Sequence, residues 1–423
     1  MKTPRPYPRA IITPKGERAA LGGHPWVYEA EVERLESPAG EPAAQPPEDG
    51  SLVDVLTEKG RYIGTGFYNH HSKIRVRLIS RSANDRFDEA FWERKLRYAW
   101  DYRKTVMGGE GSPDLACCRV IFGEADGFPG LTVDRFSEIL VAQTLSLGIE
   151  QRKEVIFPLL VKILREDGQE IRGLYERNDV SIRRLEGLEE GKGFYPLPGE
   201  EAPACTETEI VENGVRYRVD FRDGQKTGFF LDQKYNRQAV ARLAKGKRVL
   251  DCFTHTGSFA LNAAKGGAAF VRAVDVSETA VELSRQNAAL NGLDGQMEFV
   301  AANVFDLLPQ LEESHDPADR FDFIILDPPA FTKSRKTVDS AFRGYKEINL
   351  RAMRLLPRGG YLATASCSHF MEESRFIKML HSAAHDAGRE LRQIEVRQQA
   401  PDHPVLWNVP ETAYLKFFLF QVV

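Results

Sequence analysis

A single cysteine, Cys367, ends a strand-like apolar run in the heptapeptide TASCSHF, residues 364–370. About 40 residues earlier, the carboxylate and prolines of Asp327-Pro328-Pro329 follow another apolar run. A thiolate at the rim of a pocket can add to C6 of a pyrimidine, which makes C5 nucleophilic enough to accept a methyl group. Considered alone, a cysteine of this kind is more often a small buried residue. The polar residues on neighbouring strands therefore decide between the two interpretations.

The segment after Asp327 predicts a stiff, irregular loop, because proline cannot donate to a strand ladder. Its carbonyl groups and carboxylate could face a flat ligand, and a plain strand-end turn is the alternative. A basic cluster follows at Lys333, Arg335 and Lys336. Phosphate contact and simple solvation both remain open for that cluster.

Three further strand-like runs end in the polar residues Asp251, Asp275 and Asn303. In doubly wound sheets, ligands bind beyond the carboxyl ends of the strands, near the point where strand order reverses. Asp275 is placed to accept hydrogen bonds from both hydroxyls of a ribose, and a capping or turn role is its alternative. The amide of Asn303 could read the edge of an adenine. Together these residues predict an adenosine site.

The turn after Asp251 reads CFTHTG and leads into a helix whose N-terminal amides could face a ligand. It keeps one glycine, Gly257, while Phe253 and His255 stand where a dinucleotide fingerprint would have glycines. A pyrophosphate would be poorly bound there, which disfavours a nucleotide-dependent oxidoreductase. A bound adenosine without a pyrophosphate indicates S-adenosylmethionine.

The composition is that of an ordinary globular protein, with 42% hydrophobic and 28% charged residues among 423. This length predicts two or three domains. No apolar run approaches the roughly 20 residues that span a bilayer, and the N-terminus lacks an apolar signal segment. The five cysteines fit neither a disulfide framework nor a zinc spacing. We therefore expect a cytoplasmic protein with no metal and no membrane contact.

The pattern along the chain divides into three predicted domains. Residues 1–82 predict a small β-rich domain, and residues 83–205 a mixed α/β domain that starts with a long amphipathic helix capped by Asn84 or Asp85. Residues 206–423 alternate strands and helices, which predicts a doubly wound, mostly parallel sheet. Two strand-like runs near the C-terminus predict a final antiparallel pair. The fold class is therefore α/β.

One predicted strand of the β-rich domain carries a stripe of basic residues. In KIRVRLI, Lys73, Arg75 and Arg77 share one face, because side chains alternate along a strand. RNA contact and a solvated strand face are both compatible with this stripe. The formal net charge of −4 means that any RNA binding must come from such local surfaces.

The motifs in their order resemble a known family. DCFTHTGSFALNAA, VDVSETAVELSRQNAALNGL, ILDPPAFTKSRK and TASCSHF resemble motifs of the S-adenosylmethionine-dependent ribosomal large-subunit RNA (cytosine-C5) methyltransferases. GHPWVYEAEVE and GTGFYNHHSKIRVRLIS resemble the N-terminal PUA domain of those enzymes, and RVIFGEADGFPGLTVDRF resembles their central α/β domain. The resemblance covers nearly the whole chain.

This resemblance implies a Rossmann-like class I methyltransferase domain, a β-barrel-like PUA domain and a central α/β domain. It implies C5 methylation of a cytosine in large-subunit (23S) ribosomal RNA, with Cys367 as nucleophile and Asp327 at the base. Lys73, Arg75, Arg77, Lys333 and Arg335 are the candidate RNA-binding residues. The residues expected to bind S-adenosylmethionine are Asp251, Phe253, Thr254, Gly257, Asp275, Asn303 and Asp327.

Two departures from the family pattern bear on these expectations. Asn303 stands where many relatives have aspartate, and an insertion at 36–50 interrupts the PUA-like region. The alternatives are methylation of another base atom, such as uracil C5 or a purine nitrogen, and a non-catalytic RNA-binding role in ribosome assembly. The sequence leaves open the target nucleotide, free RNA against an assembled subunit, and the group that favours the Cys367 thiolate. It is compatible with a homodimer but does not determine the oligomeric state.

Overall fold

The chain folds as two units in a computed structural model that describes residues 5–332 and 334–423. The first unit takes in the described part of Met1–Ile210 together with Val219–Leu231 and Pro401–Thr412. The second consists of Val211–Arg218, Asp232–Ala400 and Ala413–Val423. Among the described helices, none combines the length and apolarity needed to cross a membrane.

The first unit begins with a six-stranded sheet and one short helix. Its elements are β1 (Arg9–Ile12), α1 (Pro14–Leu21), β2 (Trp26–Tyr28), β3 (Val32–Glu36), β4 (Leu52–Thr57), β5 (Tyr62–Tyr68) and β6 (Ile74–Ser80). The strand order is β2-β6-β5-β4-β1-β3, and every pair is antiparallel except β1 with β4. Alternate residues such as Val53, Val55 and Val76 are fully buried in its core, which is why these segments alternate apolar and polar residues.

The same unit continues with a five-stranded sheet of order β11-β10-β9-β8-β7. Its elements are α2 (Glu89–Val106), β7 (Cys117–Phe122), β8 (Leu131–Phe136), β9 (Ile139–Thr144), α3 (Leu147–Glu150), α4 (Lys153–Glu166), β10 (Gly173–Arg177) and β11 (Lys192–Phe194). The prediction that Asn84 or Asp85 caps α2 is wrong. Asp88 is the cap and accepts a hydrogen bond from the Phe91 amide at 3.1 Å, because the buried apolar face of α2 starts at Phe91.

A seven-stranded sheet forms the centre of the second unit, and its helices pack on it. Its strands are β14 (Arg248–Cys252), β15 (Phe270–Asp275), β16 (Met297–Ala301), β17 (Phe323–Leu326), β18 (Tyr361–Ser366), β19 (Leu391–Arg397) and β20 (Lys416–Val422). Its helices are α5 (Lys234–Leu243), α6 (Ser258–Lys265), α7 (Glu278–Leu290), α8 (Val304–Glu313), α9 (Val338–Leu355) and α10 (Glu373–Ala387). Between the two large sheets in sequence, β12 (Glu207–Glu212) and β13 (Val215–Asp220) form a two-stranded sheet.

The order of this sheet, β16-β15-β14-β17-β18-β20-β19, determines where a ligand can bind. The first five strands are parallel, and β20 runs antiparallel to both β18 and β19. The predicted α/β, mostly parallel, doubly wound class with a terminal antiparallel pair is therefore confirmed. The strand order reverses between β14 and β17, so the crevice for a ligand lies at the carboxyl ends of these strands.

Helix α7 begins and ends at the residues that the sequence predicts. Ser277 caps α7 as predicted, with its hydroxyl accepting from the Ala280 amide at 3.3 Å. The helix ends at Asn291-Gly292, and Gly292 has a left-handed φ of 64°.

Candidate active site

Cys367 and the Asp-Pro-Pro loop meet at the ends of two adjacent strands. β17 and β18 pair in parallel, with Leu326 opposite Thr364. The Sγ atom of Cys367 lies 4.0 Å from the carbonyl oxygen of Pro328. Cys367 is half-buried, whereas Cys252 is fully buried at the end of β14. The structure thus brings a partly accessible thiol to the rigid loop that carries Asp327.

Two buried serines hold the backbone on either side of this cysteine. Ser366 donates to the hydroxyl of Tyr345 on α9 at 3.1 Å, and Ser368 donates to the carbonyl of Thr332 at 2.8 Å. The Tyr345 ring also packs on Phe331 of the proline loop, with ring centroids 4.6 Å apart. Burial raises the pKa of Tyr345 to about 12, so its hydroxyl stays neutral at physiological pH. The loop and the cysteine are therefore braced against the same helix.

Asp327 is oriented by a chain of amide side chains. Gln233 donates from Nε2 to Oδ1 of Asp327 at 2.9 Å. Asn236 on α5 donates to Oε1 of Gln233 at 2.6 Å, which fixes which end of the Gln233 amide faces the carboxylate. Arg397 in turn donates to the Asn236 amide oxygen at 3.0 Å. The carboxylate of Asp327 is consequently held in one orientation at the site.

The turn after β14 has the backbone path of a glycine-rich loop although it has only one glycine. Phe253, His255 and Gly257 adopt left-handed φ angles of 66°, 51° and 80°. This conformation costs a non-glycine residue about 1–3 kcal/mol and persists mainly at functional sites. At Gly257, a Cβ atom would lie 2.3 Å from Oγ of Ser284, so only glycine fits there. The sequence correctly placed the turn, but the left-handed residues Phe253 and His255 were not foreseen.

Asp251 lies buried beneath this turn with one oxygen unsatisfied. Its Oδ2 accepts from Thr254 Oγ1 at 2.6 Å and from the Ala260 amide at 2.9 Å. Its Oδ1 has no hydrogen-bond partner among the described residues. Burial raises the pKa of Asp251 to about 7, and the charges of Asp327 and Asp275 add to the increase. A buried, unsatisfied carboxylate oxygen of this kind is suited to a cationic ligand group.

Asp275 is the last residue of β15, and Asn303 lies two residues beyond the end of β16. The carboxylate of Asp275 accepts from the amides of His255 at 3.0 Å and Ser277 at 3.0 Å. It therefore fixes the turn, and a carboxylate still has lone pairs available for two ribose hydroxyls. Asn303 caps α8 by accepting from the Phe305 amide at 3.1 Å. The nucleoside roles of both residues remain predictions.

Comparison with known proteins identifies the family. Residues 198–421 match the model of the S-adenosylmethionine-dependent methyltransferases, and residues 10–81 match a PUA-like domain. Ribosomal RNA large subunit methyltransferase I from Aeromonas salmonicida is 42% identical over 404 residues, which cover 95% of this chain and 96% of that protein. The protein of the same name from Klebsiella pneumoniae is 39% identical over 418 residues, or 99% of both chains. The chain belongs to this methyltransferase I family.

Solved structures support the fold of this methyltransferase. A Streptococcus mutans protein described as an S-adenosylmethionine-dependent methyltransferase superimposes with a TM-score of 0.77 at 22% identity, over 98% of this chain and 100% of that one. A methyltransferase solved in complex with S-adenosylhomocysteine gives a TM-score of 0.79 at 23% identity, with the same coverage. At this level of identity, the likeness supports the class I fold with its PUA-like domain and nothing further.

The site of this methyltransferase fits its cofactor, S-adenosylmethionine. The unsatisfied Oδ1 of Asp251 would be available to accept from the ammonium group of the methionine part. The N-terminal amides of α6, which begins directly after the left-handed Gly257, would suit the carboxylate of the same part. Asp275 has acceptor capacity left for the ribose. The cofactor supplies an electrophilic methyl group, and these residues would hold it at the edge of the sheet next to Asp327.

The candidate RNA-binding residues have different surroundings. Lys73 and Arg335 are exposed, and Lys333 lies outside the described residues. Arg75 donates to Glu29 at 2.7 Å. Arg77 donates to Glu186 at 2.8 Å. Arg75 and Arg77 thus form ion pairs within the first unit, whereas Lys73 in the first unit and Arg335 in the second are each exposed. The RNA-binding assignments remain predictions.

Metal binding was not expected from the sequence. Among the described residues, Asp49, His70 and His71 form one group whose ligand atoms lie within 4.8 Å of one another. The Asp49 carboxylate already accepts from the His70 amide at 2.7 Å and contacts the ring of that histidine. No role in methyl transfer is assigned to this group.

The affinity for S-adenosylmethionine is expected to depend on pH through Asp251. Below the pKa of about 7, the ligand must displace a proton from Asp251 to pair its ammonium group with the carboxylate. As the pH rises from 5.5 to 7, the dissociation constant is therefore expected to fall by up to about tenfold per pH unit. Above pH 7 it should level off. Isothermal titration calorimetry in two buffers of different ionisation enthalpy measures both the affinity and the released proton.

The matched variant for this prediction is Asp251→Asn, which cannot titrate. We expect it to bind the cofactor more weakly at pH 8 and to lose the pH dependence. Asp294→Asn is the control, because Asp294 is an exposed carboxylate in the turn just before β16. This variant should keep the pH dependence of the wild-type affinity. A wild-type affinity that is constant from pH 5.5 to 8 would rule out the assigned role of Asp251.

Proposed function

We propose that this protein methylates C5 of a cytosine in large-subunit (23S) ribosomal RNA through a covalent adduct with Cys367. The observation that carries the proposal is the position of the Cys367 thiol, 4.0 Å from the Pro328 carbonyl in the loop that bears Asp327. Methylation of a nitrogen needs no such thiol, because the nitrogen lone pair is itself nucleophilic. The names of the relatives support ribosomal RNA as the substrate class.

In the proposed reaction, the Cys367 thiolate adds to C6 of the cytosine, so that an Sγ–C6 bond forms and electron density moves to C5. C5 then takes the methyl group of S-adenosylmethionine, whose sulfonium–methyl bond breaks to leave S-adenosylhomocysteine. A base removes the proton from C5, the C6–Sγ bond breaks, and the thiolate is restored. The net products are the methylated base, S-adenosylhomocysteine and one proton.

Asp327 is proposed to hold the N3 and N4 edge of the cytosine during this sequence. One oxygen would accept from the exocyclic N4 amino group, and the protonated form would donate toward N3 as the thiolate adds. The hydrogen bond from Gln233 at 2.9 Å supports this role, because it fixes the carboxylate relative to the sheet edge. The rigid prolines that follow keep the loop from relaxing away from the base.

A trapping experiment tests the proposed chemistry. Large-subunit RNA that contains 5-fluorocytosine should form an adduct with this protein that survives denaturing electrophoresis and depends on S-adenosylmethionine. Fluorine at C5 cannot be removed as a proton is, so the adduct stalls after methyl transfer. Peptide mass spectrometry should locate the RNA on Cys367. Efficient methylation of the RNA with no trapped species would instead favour direct methylation of a nitrogen.

Failure to bind labelled S-adenosylmethionine would favour a non-catalytic assembly role. Mapping the modified position in ribosomal RNA from cells with and without the gene would identify the target. A ribosomal RNA substrate also favours the cytoplasm as the location.

The proposal keeps the division of the chain into three domains, at residues 1–82, 83–205 and 206–423. It also keeps a homodimer as the oligomeric state.

A further inference from the structure

Lys416 is a buried lysine on the strand next to the one that ends at Cys367. It pairs with Ser366 in the antiparallel ladder between β20 and β18. Its Nζ donates to the carbonyl of Ser368 at 2.6 Å and to the carbonyl of Tyr414 at 2.9 Å. The side chain is only 7% exposed. The ammonium group thus binds the carbonyl of the residue that follows Cys367.

The surroundings of this ammonium group are unusual for a buried charge. Buried cations are normally paired with a carboxylate, but both acceptors of Lys416 are neutral carbonyl groups. Burial lowers the pKa of Lys416 to about 8, and the negative charges of Cys367 and Glu373 oppose this effect. At neutral pH the ammonium form therefore predominates, and an anion at Cys367 stabilises it.

We propose that Lys416 is the residue that stabilises the thiolate of Cys367, by fixing the Ser368 carbonyl and by placing a buried positive charge next to the segment that carries the thiol. It is a positioning residue, since it acts through Cys367 and not on the substrate. The proposal rests on the proposed function of Cys367 as the nucleophile. It identifies the group that makes the cysteine reactive, which the sequence left open.

Four other ionisable residues in the described part of the chain are candidate sources of this charge, and none of them supplies it. Asp327, at the end of β17, and Glu373, at the start of α10, are carboxylates and disfavour a thiolate. Tyr345 is neutral at physiological pH because burial raises its pKa to about 12. His369 is exposed, and its ring packs edge-on against Phe370. Among these groups, Lys416 is the buried cation.

The test is the pH dependence of alkylation at Cys367, which needs neither RNA nor cofactor. The protein is treated with iodoacetamide from pH 5.5 to 10, and digestion with mass spectrometry measures the rate at each cysteine. Cys205, the exposed cysteine, is an internal reference in the same sample. In the wild type, the pH at which the alkylation rate of Cys367 is half-maximal should lie at least about one unit below that of Cys205. A shift of this size is expected from an adjacent positive charge.

The variant Lys416→Met removes the charge and both hydrogen bonds at similar side-chain length. Alkylation of Cys367 at pH 7 should fall about tenfold, with the two profiles converging toward pH 10. Lys416→Arg keeps the charge and should stay within about threefold of the wild type. RNA methylation at pH 7 by the Met variant should fall by a similar factor, while its affinity for S-adenosylmethionine is unchanged.

Lys95→Met is a matched control for the loss of a lysine whose ammonium group is bound by two backbone carbonyls. Burial also lowers the pKa of Lys95 to about 8, and its Nζ donates to two carbonyls, those of Ile79 at 3.0 Å and Gly127 at 2.6 Å. Lys95 belongs to the first unit, so its replacement should leave the Cys367 profile unchanged.

Two results would overturn the proposal. One is a wild-type midpoint for Cys367 equal to or above that of Cys205, a result that requires no folded variant. The other is a Lys416→Met variant whose alkylation profile matches the wild type. The failure of the proposed function would look different: no trapped RNA and an active Cys367→Ala variant, whatever the alkylation profile.

Discussion

Replacing Cys367 with alanine is expected to lower the rate of RNA methylation by about 10⁴-fold or more, which is the scale seen when a covalent nucleophile is removed. C5 of cytosine is a poor nucleophile until a thiolate adds at C6, so no other group at the site can substitute for the sulfur. Cys367→Ser should be similarly inactive, because a serine hydroxyl at neutral pH is a far weaker nucleophile than a thiolate. Transfer of a labelled methyl group to large-subunit RNA measures the loss.

The affinity of these variants for S-adenosylmethionine should stay within about twofold of the wild type, because the proposed cofactor contacts lie on other strand ends. Cys205→Ala, at an exposed cysteine, serves as the matched control and should keep full activity. If Cys367→Ala methylated RNA at a rate near that of the wild type, Cys367 would not be the nucleophile.

Replacing Asp327 with asparagine is expected to lower kcat for RNA methylation by about 10²–10⁴-fold, the range that proton transfer by a positioned group contributes. Asparagine keeps the shape of the side chain and can still pair with the N3 and N4 edge of cytosine. It cannot deliver a proton toward N3 as the thiolate adds, so the loss should appear in kcat while KM for the RNA changes little. Steady-state kinetics with a defined RNA fragment separates the two constants.

Gln233→Leu provides a graded comparison, since it removes the hydrogen bond that orients Asp327 at 2.9 Å. Loss of this one hydrogen bond should cost about tenfold in kcat, consistent with a net value near 1 kcal/mol or slightly more for a bond to a charged group. Asp294→Asn is the matched control for the carboxylate change and should be fully active. A large rise in KM with kcat unchanged in Asp327→Asn would assign Asp327 to RNA binding instead of chemistry.

Much of the methyltransferase sheet could be predicted from local sequence. Largely apolar runs of four to six residues, each followed by a helix, indicated the parallel strands. The N-cap at Ser277 was correct, since a cap depends on residues close in sequence. The start of α2 was harder to predict, because Asn84, Asp85 and Asp88 are all suitable caps by residue type. Asp88 is the N-cap because the buried face of α2 begins at Phe91, whose amide donates to the Asp88 carboxylate.

The supporting residues of the site were harder to find than its polar strand ends. The roles of Gln233, Tyr345 and Lys416 come from hydrogen bonds to distant parts of the chain. Phe253 and His255 looked like departures from a glycine-rich loop, yet both adopt left-handed backbone angles. A residue type indicates which backbone conformations are cheap, whereas the surrounding structure decides which one is adopted.

The sequence alone determined the class of the sheet, the polar strand ends and the candidate nucleophile, because periodicity, caps and motifs act over a few residues. The tertiary structure decided which of those ends meet. Cys367 contacts Pro328 across 39 residues of sequence, and Lys416 reaches Ser368 across 48. Such contacts depend on the order of strands in the sheet, which no local pattern encodes. The environment that makes Cys367 reactive is therefore a property of the fold.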